Sequence, residues 1–315
     1  MKMREIGKTG IIVSPVCLGA MYLGSKTDYE ISFLILNNFL QAGGNFIDTA
    51  NIYAHWINGC RGGESEEFLG EFMNRKNIMN KIVLATKVGI EYPDTERGLR
   101  SNQIKKECEK SLKRLGTDYI DIYYSHADDK NTPLEETLKA FDELIKDGKI
   151  RSFGASNYST ERLKEALNIS LKNDIEGLCC IQQRHSYLRP NKDFKLDSQI
   201  VADELLFDMC RKEELQLLAY SPLLSGVYSQ GAPGLPQFYQ TEENKKRIDI
   251  IKRISIEEGI SVNQLVLAWM LNSEPFVIPV IGVSSEQQLE ENLKASEIRL
   301  TEERMKLLNK YFDEN

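Results

Sequence analysis

The chain has 315 residues, a formal net charge of −7 and ordinary shares of apolar and charged residues. This length suits either two average domains or one large α/β barrel, and the composition is that of a globular protein with a sizeable core. The negative charge argues against a general affinity for nucleic acid or for acidic membrane surfaces, because both repel an acidic protein.

Neither the N-terminus nor the cysteines indicate secretion. The opening sequence MKMREIGKTG has no apolar run of signal-peptide length, and the longest apolar stretches, such as 276–283, are too short to span a membrane. The cysteines stand at Cys17, Cys60, Cys108, Cys179, Cys180 and Cys210. They form no CxxC pair and no zinc-ligand spacing, so we expect reduced thiols in a cytoplasmic protein without a metal site. Cys60 is singled out because it flanks the candidate active site.

The period of the apolar residues alternates between that of strands and that of helices. The first predicted element is a hairpin, in which segments 3–6 and 11–14 flank Gly7-Lys8-Thr9-Gly10. Strands are then predicted at 16–19, 45–49, 82–88, 119–126, 150–155, 177–182, 216–220 and 276–282. Amphipathic helices are predicted at 28–41, 64–76, 101–115, 133–147, 159–172, 199–211 and 242–271, the last broken near Gly259.

Eight strands that alternate with helices, without a linker, favour a closed barrel. An open doubly wound sheet is the main rival, but it seldom has eight units, and no strand here is followed by G-x-G-x-x-G. The sequence therefore predicts an α/β fold, a (β/α)8 TIM barrel whose N-terminal β-hairpin closes the bottom. We expect residues 1–315 to form one such domain.

Reactive groups in such a barrel belong at the C-terminal ends of the strands. The second barrel strand ends in Asp48 and leads to Tyr53, the third ends at Lys87 and the fourth at His126. Taken singly, each could be a solvated, salt-bridged or packed side chain. One acid, one phenol, one ammonium and one imidazole at the ends of three successive strands form a more specific pattern.

These four groups have a joint chemical logic. A phenol has a pKa of about 10, so it is a poor proton donor at neutral pH. A lysine cation nearby is expected to lower that pKa, and a carboxylate behind the lysine keeps it charged. An imidazole can orient a substrate oxygen or help to move a proton. Such a set activates a carbonyl toward hydride attack, and the hydride implies a nicotinamide cofactor.

Ordered motifs along nearly the whole chain resemble the aldo/keto reductase superfamily. They include Lys8-Thr9-Gly10, the segment 45–53 (NFIDTANIY), Gly63-Glu64-Ser65-Glu66, Ala85-Thr86-Lys87, 111–115 (SLKRL), 154–157 (GASN), 219–223 (AYSPL) and Glu291-Asn292. The resemblance implies that Asp48, Tyr53, Lys87 and His126 are the catalytic tetrad, with Tyr53 as the general acid in reduction.

The resemblance also implies a cofactor site. Ser156, Asn157 and Gln182 match residues that hold the nicotinamide carboxamide, and Tyr220 matches the aromatic side chain that stacks on the ring. Ser221, Leu223, Ser225 and Gly226 match the loop around the pyrophosphate. Further along the chain, the matching positions are Gly282, Ser284, Gln288, Glu291 and Asn292, of which the last two correspond to adenine contacts.

The choice of cofactor is the point at which the sequence departs from many relatives. They place a lysine or arginine after the last strand to meet the 2′-phosphate of NADP(H), whereas segment 282–288 reads GVSSEQQ. Family resemblance favours NADP(H), and the missing cation keeps NAD(H) open.

Loops at the rim supply the candidate substrate side chains. The strongest candidates are Tyr22, Trp56 and Tyr92. Further candidates are Met21, Asp128, Tyr187, Tyr228, Phe238 and Tyr239. Aromatic walls with a few polar groups suit small aldehydes, aryl carbonyls or sugars. The expected partner is a small carbonyl compound, and neither nucleic acid nor membrane is expected.

Two alternative functions stay open at this point. A barrel of this family can act as a cofactor-sensing regulatory subunit with little turnover. A Schiff-base lyase could use Lys87 as its nucleophile, but this hypothesis gives Asp48 and Tyr53 no shared catalytic role.

Overall fold

A short antiparallel hairpin precedes the barrel in the computed structural model, which describes residues 1–194, 196, 198–229 and 234–310. Strand β1 (Arg4–Glu5) pairs with β2 (Ile12–Val13). Gly7 in the turn has a φ of 55°, and a Cβ at that position would lie 2.7 Å from the carbonyl oxygen of Cys179. The predicted hairpin is therefore confirmed, and it packs against the chain just ahead of a barrel strand.

Eight parallel strands form the closed barrel. They are β3 (Cys17–Gly19), β4 (Phe46–Asp48), β5 (Val83–Val88), β6 (Ile120–Ser125), β7 (Ile150–Ser156), β8 (Cys180–Arg184), β9 (Gln216–Tyr220) and β10 (Val277–Ile281). Each strand pairs with the next in chain order, and β10 pairs with β3 to close the ring. The predicted (β/α)8 architecture is confirmed.

Helices surround the barrel. They are α1 (Tyr29–Gln41), α2 (Glu64–Lys76), α3 (Ser101–Leu115), α4 (Leu134–Lys146), α5 (Thr160–Asn173), α6 (Glu204–Glu213), α7 (Glu242–Glu258), α8 (Val262–Leu271), α9 (Glu286–Lys294) and α10 (Glu302–Asn309). In α4, for example, Leu134, Leu138 and Phe141 are buried at helical spacing against the sheet. Among the described residues, none of these helices combines the length and apolarity that crossing a bilayer demands.

Some predicted boundaries were wrong. The strand predicted at 177–182 begins later, at Cys180, and the helix predicted from 199 begins at Glu204. Residues before that helix are extended, with Val201 bridged to Arg184, and the Asp203 carboxylate accepts from Leu206 N–H as the helix cap. The sequence did not predict α9 and α10.

The bottom of the barrel is filled by apolar side chains. Ile6, Ile11 and Val13 from the hairpin region belong to one buried cluster with Phe46 and Val83 from the strands. The hairpin thus closes the N-terminal end of the barrel, which leaves the opposite rim as the place for reactive groups.

Candidate active site

Lys87 is the centre of the polar group at the C-terminal rim. Its side chain is fully buried, and its ammonium forms an ion pair with Asp48. It also donates to the carbonyl oxygen of Thr49 at 2.7 Å and to the hydroxyl of Tyr53 at 3.1 Å. The Lys87 ammonium therefore contacts both of the other predicted residues, Asp48 and Tyr53.

Backbone pairing beyond the end of β4 places Tyr53 over Lys87. Thr49 N–H donates to Ala85 at 2.8 Å and Asn51 N–H donates to the carbonyl of Lys87 at 3.3 Å, so the loop follows β5 past the end of the strand. The chain then turns, and Tyr53 N–H donates to Ala50 at 3.1 Å.

The surroundings of the lysine keep it charged. Burial lowers the pKa of Lys87, but the neighbouring Asp48 and Tyr53 raise it by more, and the net direction is upward. The ammonium is thus a fixed positive charge beneath the phenol.

The pKa of Tyr53 differs from the expectation. Burial raises it, Lys87 lowers it and Asp48 raises it again, so the net direction is above the ordinary value of 10. The prediction that Lys87 brings this pKa below its ordinary value was therefore wrong in its net sign, because desolvation of the phenolate outweighs the attraction to a lysine already paired with Asp48. Tyr53 stays protonated at neutral pH.

His126 is the fourth member of the group. Its backbone N–H donates to Val88 at 2.8 Å, and its ring centre lies 6.0 Å from that of Tyr53 at an angle of 76°. Burial lowers its pKa well below the ordinary value, and the positive charges of Lys87 and Arg97 lower it further. The imidazole is therefore neutral at physiological pH and can orient a substrate oxygen without carrying charge.

Gln182 lies behind the ion pair. Its amide nitrogen donates to the second carboxylate oxygen of Asp48 at 2.9 Å. This contact was not predicted, because β8 is far from β4 in sequence and only closure of the barrel brings the two side chains together. The carbonyl of Thr49 was missed for the same kind of reason, since a backbone acceptor leaves no trace in the sequence.

A second cluster surrounds Asn157. This residue has a φ of 56°, and its amide nitrogen donates to His126 O at 3.0 Å and to Ser156 Oγ at 3.1 Å. Its amide oxygen accepts from the Tyr220 hydroxyl at 2.8 Å and from Ile200 N–H at 3.2 Å. Ser156, Asn157 and Tyr220 thus lie together next to His126.

The loop after β9 has an unusual backbone. Ser221 has a φ of 54°, and Leu224, Ser225 and Gly226 follow with φ values of 48°, 58° and 89°. This backbone closes a tight turn, in which the Leu224 N–H donates to the carbonyl oxygen of Ser221 at 3.1 Å and the Gly226 N–H to that of Leu223 at 2.9 Å. Leu223 is half-buried beside them.

The segment after β10 is exposed at Gly282 and Ser284. Ser284 donates to Gln288 Oε1 through both its N–H, at 2.8 Å, and its hydroxyl, at 3.1 Å. In the helix that follows, Glu291 accepts from Ser261 Oγ at 2.6 Å, whereas Asn292 is buried. Asn263, which the sequence did not single out, donates to both Glu291 and Ser229, and its own amide oxygen is buried without a partner among the described atoms.

Aromatic side chains line the rim beside Tyr53. The Trp56 ring centre lies 6.2 Å from that of Tyr53 and 6.5 Å from that of Tyr22, both edge to face, and 46 % of Trp56 is exposed. Tyr92 packs on Gly62 and donates to Glu107 at 2.6 Å. The aromatic wall is therefore formed by Tyr22 and Trp56, and Tyr92 packs on Gly62 at the end of the loop that carries Trp56.

Several weaker substrate candidates belong to the scaffold. Tyr187 and Tyr239 are fully buried, and Tyr187 donates to Leu308 at 3.0 Å. Asp128 forms an ion pair with Arg162 at 2.9 Å. Tyr228 shares a hydrogen bond with Ser186, and Phe238 is stacked on Phe194. Interpreting Tyr187 and Tyr239 as pocket side chains was wrong, because they fill the core.

The cysteines are free thiols, and Cys60 is the partly exposed one among them. Within the described ranges, no cluster of three or more histidine, cysteine, aspartate or glutamate side chains has a metal-binding arrangement.

Comparison with known proteins adds to this geometry. Residues 15–312 match the model of the aldo/keto reductase family. The chain is 32% identical to the uncharacterized oxidoreductase YrpG of Bacillus subtilis, over 99% of this chain and 96% of that protein. It is 30% identical to the norsolorinic acid reductase stcV of Emericella nidulans, over 93% of this chain and 77% of the relative.

A solved structure agrees with these sequence matches. The thermostable aldo-keto reductase Tm1743, solved with the inhibitor epalrestat, superposes with a TM-score of 0.77 and 30% identity, covering 99% of this chain and 100% of that one. The relatives, the solved fold and the barrel-rim geometry agree, and the chain belongs to the aldo/keto reductase family.

Proposed function

We propose that the protein reduces an aldehyde or ketone to an alcohol with NADPH, and that Tyr53 donates the proton. The single observation that supports this most strongly is the contact of the Tyr53 hydroxyl at 3.1 Å with the buried Lys87 ammonium, which is itself paired with Asp48. Membership of an oxidoreductase family supports the reaction class.

The proton step follows from the groups at the rim. Tyr53 holds its proton at neutral pH because its pKa is raised. An alkoxide developing at the substrate oxygen is a stronger base than a phenolate, so transfer from Tyr53 to that oxygen remains favourable. Lys87 then stabilises the phenolate. Because the folded site already holds the ammonium in place, the reaction step requires no reorganisation around it. Neutral His126 donates a hydrogen bond that orients the substrate oxygen.

The residues at the rim fit a nicotinamide dinucleotide. The proposed carboxamide contacts are Ser156, Asn157 and Gln182, with Tyr220 against the ring. Because the amide nitrogen of Gln182 is bound to Asp48, we assign its amide oxygen to the cofactor. We assign the pyrophosphate to the loop of Leu224, Ser225 and Gly226, whose left-handed backbone leaves the Ser225 side chain exposed. When bound, the cofactor supplies the hydride.

The adenosine end would lie against the last helices. We propose that its contacts are Gly282, Ser284, Gln288, Glu291 and Asn292. Ser221 and Leu223 would complete the loop around the pyrophosphate. The buried, unpartnered amide oxygen of Asn263, beside Glu291, supports a polar ligand there. We favour NADP(H) on the family relationship, and NAD(H) is the alternative because segment 282–288 has no cation.

The aromatic wall favours planar carbonyl substrates. Trp56 is half-exposed beside Tyr53, with Tyr22 at its edge, so an aromatic or other flat aldehyde or ketone could pack there while its oxygen meets Tyr53. One similar protein is named a norsolorinic acid reductase, and this name supports a reductase function. Tyr92 is proposed as an outer contact.

A lyase that uses Lys87 as a nucleophile is disfavoured by the contacts of its ammonium. A Schiff base requires a neutral amine with a free lone pair. The Lys87 nitrogen instead donates to Asp48, Thr49 and Tyr53, and its pKa is raised. Trapping of an aldehyde onto Lys87 by borohydride would contradict this assignment.

The decisive experiment combines binding with turnover. Fluorescence titration with NADPH and with NADH tests the rim site and the cofactor preference together, and steady-state NADPH oxidation with an aromatic aldehyde tests the reaction. We expect saturable NADPH binding and aldehyde-dependent oxidation. Tight binding without turnover of any aldehyde or ketone would favour a cofactor-sensing subunit, and absence of nicotinamide binding would reject the proposal.

A further inference from the structure

A buried carboxylate lies behind the loop that carries Tyr53. Glu107 points inward from α3 and is 2 % exposed. Its Oε2 accepts from Asn51 Nδ2 at 3.0 Å and from the Tyr92 hydroxyl at 2.6 Å, and its Oε1 accepts from Lys110 Nζ at 2.7 Å. None of these four residues belongs to the tetrad.

Burying such a charge is unfavourable unless it is well satisfied. Burial raises the pKa of Glu107, but the hydrogen bonds from Lys110, Tyr92 and Asn51 outweigh it, and the net direction is downward. Glu107 is therefore ionised at neutral pH. Each of its donors is held by a charge-assisted bond, which is about twice as strong as a neutral one.

The donors come from two loops that matter for the site. Asn51 stands two residues before Tyr53, in the loop after β4, and its N–H also donates to Lys87 O. Tyr92 stands five residues after Lys87, in the loop after β5. One carboxylate thus ties the loop of the phenol to the loop that follows the lysine.

The loop after β4 needs such a restraint. Ala54, directly after Tyr53, has a φ of 79°, a conformation that an L-residue with a Cβ adopts only when its surroundings hold it there. Tyr92 packs on the far end of the same loop, where a Cβ at Gly62 would lie 2.7 Å from its ring. Glu107 therefore holds the loop at Asn51 and, through Tyr92, at Gly62.

We propose that Glu107 is a positioning residue, which acts through Asn51 and Tyr92 to keep the Tyr53 hydroxyl within hydrogen-bonding distance of Lys87. The inference rests on the proposed function. Because the attraction between an ammonium and a phenolate falls with distance, a Tyr53 that drifts from Lys87 becomes a weaker acid and a worse-placed donor.

The test is Glu107→Gln in the full-length protein. The amide can accept from only one side, so either Lys110 or the pair Asn51 and Tyr92 loses its acceptor. We expect kcat for reduction to fall roughly tenfold, as for a displacement of a fraction of an ångström. The dissociation constant for NADPH should stay within about twofold, because no cofactor contact is altered.

A spectroscopic readout does not depend on turnover. With 13C at the tyrosine Cζ, the Tyr53 signal can be assigned by its loss in Tyr53→Phe. The chemical shift of this carbon reports the hydrogen bond between the Tyr53 hydroxyl and Lys87, so Glu107→Gln should change it. The alkaline limb of the reduction rate should also move to higher pH, since Tyr53 then loses the stabilisation of its phenolate.

Asp121→Asn is the matched control. Asp121 is also a buried carboxylate, 4 % exposed, which accepts from Leu84 N–H at 2.9 Å and from Arg151 at 2.7 Å near the N-terminal ends of β5 and β6. This variant should lose stability without moving the Tyr53 signal or the pH profile. If Glu107→Gln does not fold, Asn51→Ala cuts the same link and should give the same changes.

The outcomes separate the two proposals. A folded Glu107→Gln or Asn51→Ala protein with an unmoved Tyr53 signal and wild-type kcat would overturn the positioning role. A signal that moves in a protein without carbonyl reductase activity would support the positioning role and reject the proposed function instead.

Discussion

The same barrel strands place apolar side chains at one end of the barrel interior and charged side chains at the other. Side chains two residues apart on a strand face the same way, so Phe46 and Asp48 of β4 lie in successive layers of the interior. Val83 and Lys87 of β5, four residues apart, lie two layers apart. Phe46 and Val83 belong to the apolar cluster at the bottom, whereas Asp48 and Lys87 form the buried ion pair at the rim. One end of the barrel gains stability from its contacts, and the other holds charges that stability alone does not require.

The largest expected effect concerns the rim. Tyr53→Phe removes the proposed proton donor but keeps the ring beside Trp56. We expect kcat to fall by about 10²–10⁴-fold, the usual contribution of general acid catalysis, with NADPH affinity nearly unchanged. Steady-state kinetics and fluorescence titration measure both. Tyr119→Phe, on an exposed side chain at the bottom, is the control. A Tyr53→Phe enzyme with wild-type kcat would refute the assigned role.

The second prediction tests the cost of the buried charge. Lys87→Met leaves Asp48 buried without its cation, and we expect a loss of about 3–5 kcal/mol in the free energy of unfolding. Urea denaturation measures it. The double variant Asp48→Asn/Lys87→Met should recover much of that stability and none of the turnover. A Lys87→Met protein as stable as the wild type would show that an unpaired Asp48 carboxylate at the rim does not lower the free energy of unfolding.

The third prediction concerns the bottom. Ile11 is 1 % exposed in the apolar cluster of the hairpin. Ile11→Ala should lower the free energy of unfolding by about 2–5 kcal/mol through lost burial and a cavity. The kcat of the folded enzyme should stay at the wild-type level. A large drop in kcat under conditions where the variant is fully folded would contradict the separation of stability at the bottom from catalysis at the rim.

The smallest effect depends on pH. His185, after β8, lies between Phe207 and Trp269, and burial lowers its pKa to about 3. The unfolded chain takes up a proton below about pH 6.5 while the folded chain does not, so stability falls as pH drops below that value. At pH 5 the loss from this group is about 2 kcal/mol.

His185→Phe tests this linkage because it keeps a planar ring between the two aromatic side chains. Thermal unfolding of both proteins at pH 7 and pH 5 measures the effect. The variant should lose less stability on acidification than the wild type, and equal losses in the two proteins would contradict the depressed pKa.

Much of the fold could be predicted because its signals are local. The helices at Glu64–Lys76 and Ser101–Leu115 have the predicted bounds, since their apolar residues recur at helical spacing. The helix Glu286–Lys294 was missed because Leu289 and Leu293 are its only large apolar side chains among charged and amide residues. The chain before Glu204 was assigned to a helix because tertiary bridging to β8 is not visible in sequence.

The site could be predicted as a set of residues but not as a set of contacts. Strand ends pointed to Asp48, Tyr53, Lys87 and His126. The net sign of the pKa shift on Tyr53 could not be predicted, because it depends on how deeply the phenol is buried. Glu107 did leave a signal, since it falls on the inward face of α3 with Ile104, Cys108 and Ser111, where a carboxylate needs a partner.

Closure of the ring also affects how the protein meets other copies of itself. Each of the eight barrel strands has a neighbour on both sides, so the native barrel offers no open strand to recruit another chain. Detachment of any one strand would expose two edges at once. Association through the edges of barrel strands should therefore start from partly opened molecules, and treatments that keep the ring shut protect against this route of aggregation.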